Sequence, residues 1–211
     1  MILSCGHNRN SSGGIDYRGF YDKSFYLISN NPLDTFGQVR VKIPQHLDTF
    51  YQWHNFSDCS GCGSYMSRFS DSSYTLLREK GFYYSIKPDS TYQLTISFKD
   101  GIEWPDSLFR ELSINDTGSL TYLAKGDEFF FDNIRWIKPT KFMTISGRPF
   151  IVGCYETPSL FRKDQTKLVF SGITRIRKRE IKFKAECDAS DTIGFINNMQ
   201  KSFLSIYIQE R

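Results

Sequence analysis

Cys59 and Cys62 bracket the stretch CSGCGSY, and Cys5 and His7 bracket CGH near the amino terminus. Thiolates and imidazole are the usual ligands of four-coordinate zinc, and a structural site is commonly built from short knuckles separated by a long insert. A glycine lies inside or just after each knuckle. There the chain must turn sharply around an ion, and a positive φ costs least without a Cβ. Cys5, His7, Cys59 and Cys62 are therefore the candidate ligands of a structural Zn2+ ion, with His54 as the substitute ligand. Four protein ligands leave no open coordination position, so such an ion staples the chain rather than catalysing. Two other readings stand beside it: free cysteines in a polar loop, or a redox C-x-x-C. Redox pairs of that spacing accompany a βαβ pattern, which residues 53–73 do not display. Cys154 and Cys187 fall on strand patterns and read as buried thiols.

The second constellation is basic. Residues 162–184 hold nine Lys and Arg against Asp164 and Glu180, a balance of +7 in a chain of net charge +4, so the remainder sums to −3. Within it, GITRIRKREIKFK reads as a hairpin whose turn is Arg177-Lys178-Arg179. Outward cations on a strand pair can lie against phosphates, giving salt-dependent and largely sequence-independent affinity. Arg175, Arg177, Lys178, Arg179, Lys182 and Lys184 are the candidate nucleic-acid contacts, and the 19 Phe and 12 Tyr supply rings on which bases can stack. The alternatives are an acidic protein surface as the partner, or a solvated hairpin whose lysines guard an edge against aggregation.

Catalytic sets are sparse. The three histidines are His7, His46 and His54, and the chain contains no G-x-S-x-G, P-loop or H-E-x-x-H. Glu180-x-Lys182, with Asp164 upstream, matches a fragment of metal-dependent nuclease cores, but strand alternation predicts Glu180 and Lys182 on the solvent side. Asp106 and Glu111 read as a helix cap and a surface charge. The function these residues favour is a non-catalytic binding subunit that docks nucleic acid or a nucleoprotein complex through the basic hairpin. A structural or adaptor protein using the same surface for an acidic partner is the first alternative, and a metal-dependent nuclease the second.

The elements that must position these residues are mostly strands. The 211 residues are 39% hydrophobic, 24% charged and 16% aromatic, a globular composition that favours a pleated, half-buried framework. Strands are expected at 24–29 and 37–43, and at 90–98 before a KDG turn. Further strands are expected at 118–126, 128–137, 141–147 and the following RPFIVGCYE, and in the two arms of the basic hairpin. Short helices are expected at 73–81 and 104–113. A closing helix follows Asp191, with Ile193, Ile196, Met199 and Phe203 near helical spacing, and SIYIQER reads as an edge strand. Residues 53–73 show no periodicity, and a loop of that length needs an external constraint to be ordered. No apolar run reaches the roughly 18 residues of a membrane span. The amino terminus shows no secretory signal, and the cysteine count of five is odd. The expected compartment is the cytoplasm, or the nucleus in a eukaryote, with no secretion.

EIKFKAECDASDTIGFINNMQKS resembles the last strand and closing helix of pleckstrin-homology-like domains: an alternating strand, a short polar turn, then a helix with an aromatic–Ile pair. GSLTYLAKG at 118–126 resembles their opening strand, so the resemblance covers residues 118–201. Phe195 stands where Trp is usual, and Gly194 interrupts the helix. Lys125 and Arg135 are interleaved with Asp127, Glu128 and Asp132, so the resemblance implies protein binding rather than phosphoinositide binding. The expected fold is α+β: mostly antiparallel β-sheet, short helices, a C-terminal helix and a zinc-stapled N-terminal region. The expected division is residues 1–88 and 89–211, or one continuous domain.

Overall fold

Alternating apolar and polar residues make up most of this framework, and they form strands. A computed structural model describes residues 15–28, 35–55, 63–72, 79–80, 83–84, 92–103, 105–114, 134–158, 166–187 and 192–210. In chain order these form β1 (Phe20–Ile28), β2 (Thr35–Pro44), β3 (Thr49–Asn55), β4 (Ser64–Ser70), β5 (Glu79–Lys80), β6 (Tyr83–Tyr84), β7 (Tyr92–Glu103) and α1 (Asp106–Ile114). They continue as β8 (Arg135–Ile145), β9 (Arg148–Pro158), β10 (Thr166–Ile176), β11 (Arg179–Cys187), α2 (Thr192–Leu204) and β12 (Tyr207–Glu210).

Strands β8 to β11 form a continuous meander. Strand β7 joins it at β11, and the β3–β4 hairpin joins at β7, so the seven-stranded order is β3-β4-β7-β11-β10-β9-β8. A second sheet has the order β1-β2-β12, and β5 and β6 form a short pair. All the pairings are antiparallel. Because β4 pairs with β7, the strands before and after residue 88 share one sheet.

The three-stranded sheet and α2 cover one face of the large sheet. Val39, Val41 and Ile43 of β2 meet Leu94, Ile96 and Phe98 of β7 and Ile181, Phe183 and Ala185 of β11 in a single apolar core. Each fully buried side chain of this size contributes about 1.5–3 kcal/mol. Helix α2 adds Phe195, Met199 and Phe203, four residues apart and therefore on one stripe. Ile193, expected on that stripe, is 75% exposed, and Phe195 takes the core position instead. The helix is held close because Gly172 of β10 has no side chain: a Cβ there would collide with the Phe203 ring. Phe203 also packs edge-on against Phe170 and Phe183, with centroids 4.7 and 5.7 Å away.

Several expectations are corrected. The chain is mostly antiparallel β-sheet, as expected, but helix is a minor component, confined among the described residues to α1 and α2, so the class is predominantly β rather than α+β. The zinc-stapled N-terminal region is not supported. Among the described residues no group of three or more His, Cys, Asp and Glu is placed to hold a metal. Cys5, His7, Cys59 and Cys62 lie outside the described residues. What orders the N-terminal strands is ladder pairing and core burial: β2 is paired on both sides, and β4 lies between β3 and β7.

Residues 53–73, read as a loop, contain the end of β3 and all of β4. Their hydropathy does not alternate because this part of the sheet buries polar side chains in hydrogen bonds. Arg68 Nε donates to Thr95 Oγ1 at 2.9 Å, and Gln52 Nε2 donates to Ser67 Oγ at 2.9 Å. The KDG segment is not a turn. It lies inside β7, where the register shifts opposite Arg179 and Glu180 and absorbs the extra residues. Glu79–Lys80, expected in a helix, pairs as β5 with β6, while residues 73–78 lie outside the described residues. Also outside them are the expected strand at 118–126, residues 128–133 and Asp191. Strand β11 and helix α2 are present. The pleckstrin-homology-like resemblance also rests on the strand at 118–126, which lies outside the described residues. No helix among the described residues is long and apolar enough to cross a membrane.

The close approach of α2 to β10 gives a direct test. Gly172→Ala forces the Phe203 ring out of its site and should destabilise the fold by about 1–3 kcal/mol. The reading is a lower urea midpoint with an unchanged slope. An unchanged midpoint contradicts the packing described.

Candidate functional site

Two tight turns lie side by side at one end of the large sheet. Ser146-Gly147 joins β8 to β9, and Arg177-Lys178 joins β10 to β11. All four residues have positive φ (50° and 80°, 46° and 64°), the geometry of a two-residue type I′ hairpin turn, which matches the twist of the strands it joins. Glycine at 147 makes the first turn inexpensive. Arginine and lysine make the second one strained, at about 1 kcal/mol or more per residue. The tips are neighbours because β9 and β10 pair in register, with Ile151 opposite Ile173.

The C-terminal strand closes the third side. Ser146 Oγ donates to the Ile206 carbonyl at 2.8 Å, and Arg148 Nη2 lies 2.6 Å from Glu210 Oε1. Arg148 Nη1 also donates to the Arg175 carbonyl at 3.1 Å, so one guanidinium ties the start of β9 to both β10 and β12. Helix α1 supplies a fourth side: Asp106 is ion-paired with Arg175, whose guanidinium lies 5.1 Å from the centre of the Phe109 ring. The cleft between them is open to solvent and about 560 Å³. Arg148, Arg175, Arg177 and Lys178 line it against the carboxylates Asp106 and Glu210, leaving it net positive by two charges.

The six cations expected to contact nucleic acid are divided by the fold. Arg175 is committed to Asp106 and Phe109, and Arg179 is 3.5 Å from Glu103. Lys182 is half-buried between Ser97 and Ile173 on neighbouring strands. Lys184 is 3.1 Å from Glu186. Arg177 and Lys178 are exposed, and their side chains have no ion pair or hydrogen bond among the described residues. The structure thus brings Arg175, Arg177 and Lys178 to one cleft and leaves Lys182 and Lys184 on the sheet face away from the core.

Glu180 and Lys182, expected on the solvent side, are buried and half-buried respectively. Glu180 is 7% exposed, with Lys99 Nζ 3.8 Å away, and further along the same face Thr95 and Ser171, opposite Lys184, and Gln93, opposite Glu186, are buried. The face is covered, so charges there must be paired. Glu186 accepts from Lys167 Nζ at 2.7 Å and from Gln93 Nε2 at 2.9 Å, with Lys184 beside it. Burial alone would raise its pKa, but the Lys184 and Lys167 ammonium groups and these hydrogen bonds outweigh burial and hold the carboxyl well below its ordinary range.

The remaining candidates are dispersed. His54 packs edge-on against Tyr65 with centroids 5.6 Å apart, and His46 does the same against Tyr92 at 4.5 Å, where burial lowers its pKa. Cys154 and Cys187 are buried, and burial pushes the Cys154 thiol up to about 12. Asp164 lies outside the described residues.

Two site residues were missed by the sequence reading. Arg148 has no local signal, since its position depends on how three strands meet. Tyr207 had one: between the buried Ile206 and Ile208, alternation turns it outward, and it is 46% exposed.

No protein-family model matches the chain, and no curated protein matches it significantly. Among solved structures it is similar to the cyanobacterial PsbP protein (CyanoP) from Synechocystis sp. PCC 6803, over 94% of this chain and 98% of that one, at 13% identity and a TM-score of 0.49. A likeness at that level carries no argument about function.

The Glu186 cluster predicts a pH signature. A carboxyl whose folded pKa is depressed stabilises the protein fully above its unfolded value and loses that contribution as pH falls through the folded pKa. Glu186→Gln leaves Lys167 buried without its partner and should cost about 3 kcal/mol at pH 7. The gap from wild type should narrow as pH drops below 4.5, the ordinary carboxyl value. Denaturant titrations at several pH values test this, and a gap that does not change with pH contradicts it.

Proposed function

We propose that this protein is a non-catalytic binding subunit that docks nucleic acid, free or within a nucleoprotein complex, at the tip of the basic hairpin and the adjoining cleft. One observation carries the reading. The two cations at the centre of the β10–β11 turn are exposed and unengaged among the described residues, at the mouth of a net-positive cleft. Among the described residues, Lys167, Arg175, Arg179 and Lys184 of the same stretch each have a carboxylate partner within the fold. Arginine and lysine also occupy backbone positions where Asn-Gly would be far less strained, and strained positions of this kind cluster at binding sites. Phosphates suit unengaged cations because their contacts need no sequence-specific partner.

The turn supplies its own control. Replacing Arg177→Asn together with Lys178→Gly keeps the type I′ geometry, relieves its strain and removes both charges. Fluorescence anisotropy with a labelled oligonucleotide at low salt should show at least tenfold weaker binding. Thermal melting should show equal or higher stability. Binding unchanged from wild type contradicts the reading. Binding of a poly-glutamate peptide, with none of oligonucleotides, would move the same surface to an acidic protein partner.

A further inference from the structure

The reading above leaves open whether the cleft meets a duplex or a single strand, and the sheet topology separates the two. A two-stranded ribbon enters a DNA major groove only if both of its strands are free to lie there. Here β10 is paired with β9 as well as β11, and β11 with β7 as well as β10. Both arms are interior to a seven-stranded sheet, so only the two-residue tip protrudes and no free ribbon exists. A second observation concerns the other side of the cleft. Tyr207 lines it and is 46% exposed, one of the few large side chains so placed. Arg40, exposed on the paired residue of β2, has its guanidinium 6.0 Å from the Tyr207 ring centre.

An exposed aromatic ring beside unengaged cations is how single strands are held: bases stack on the ring while basic side chains track the backbone. A duplex keeps its bases stacked on each other and offers none to such a ring, whereas single strands, loops and ends do. The cleft, open to solvent and about 560 Å³, is also within the roughly 300–1,000 Å³ range of small-ligand sites.

We propose that the cleft takes single-stranded nucleic acid, with one base stacked on Tyr207 and the flanking phosphates on Arg177 and Lys178. The proposal rests on the nucleic-acid reading above and adds the strandedness and the stacking residue.

The test compares a fluorescein-labelled 12-residue oligonucleotide, single-stranded and as its duplex, against the full chain and two variants. Wild type should bind the single strand at least tenfold more tightly than the duplex. Tyr207→Ala should weaken single-strand binding about tenfold, the scale of one lost stacking contact, and leave duplex binding unchanged. Tyr207→Phe, which keeps the ring, should bind like wild type. Because the ring is exposed, neither change should shift the melting temperature appreciably. If single strand and duplex bind equally, or if Tyr207→Ala has no effect, this proposal falls, while a loss of binding in the Asn-Gly turn variant still supports the wider reading. If neither oligonucleotide binds wild type at low salt, both fall together.

Discussion

Strand β11 carries Ile181, Phe183, Ala185 and Cys187 on one face and Glu180, Lys182, Lys184 and Glu186 on the other, and both faces of the sheet it sits in are covered. That is the constraint from which the site follows. The apolar face is satisfied by α2 and the three-stranded sheet. The charged face is largely removed from water, and a buried charge without a partner is expensive. Lys167 and Lys184 gather on Glu186, and Lys99 approaches Glu180. A stretch that looks like an electrostatic surface is largely an internal network. Among the described cations of the stretch, the exposed ones are Arg177 and Lys178, at the two-residue turn where the strands stop alternating.

The same constraint accounts for the size of the site. The cleft is built by long-range ties: Arg148 to Glu210, Arg148 to the Arg175 carbonyl, Ser146 to Ile206 and Asp106 to Arg175. These ties fix two hairpin tips, a C-terminal strand and a helix end around one opening, and they also neutralise two of its four arginine and lysine side chains. Two positive charges remain, on a turn whose backbone is strained, next to an outward-facing tyrosine. The exposed positive charge here is local rather than a broad basic surface.

The legible parts of the sequence were those where one face of an element is apolar and the other polar. Val39, Val41 and Ile43 in β2, the arms of the basic hairpin, and Met199 and Phe203 in α2 all behave as their spacing implies. Strands β3 and β4 were not legible, because Ser64, Ser67, Arg68 and Ser70 are buried polar residues and erase the alternation. The KDG segment carries turn residues, yet β11 pairs with β7 at Lys99 and again at Glu103, and the residues between are taken up as a bulge. For the site, the turn at Arg177-Lys178 could be read directly. The fate of Lys182 and Lys184 could not, since it depends on what covers the second face. Arg148 was invisible for the same reason: it matters only where three strands converge.

On the proposed reading two cations, not six, face the partner, and the salt dependence of binding counts them. For a single strand, log K falls with log salt at about −0.7 per neutralised phosphate, so two contacts give a slope of about −1.4 and six give about −4. Anisotropy titrations of the single-stranded oligonucleotide across a range of monovalent salt measure this slope directly. A value close to −1.4 agrees with a contact confined to the hairpin tip. A value near −4 would mean that the buried face opens or that the paired cations are released on binding, and would contradict the arrangement described.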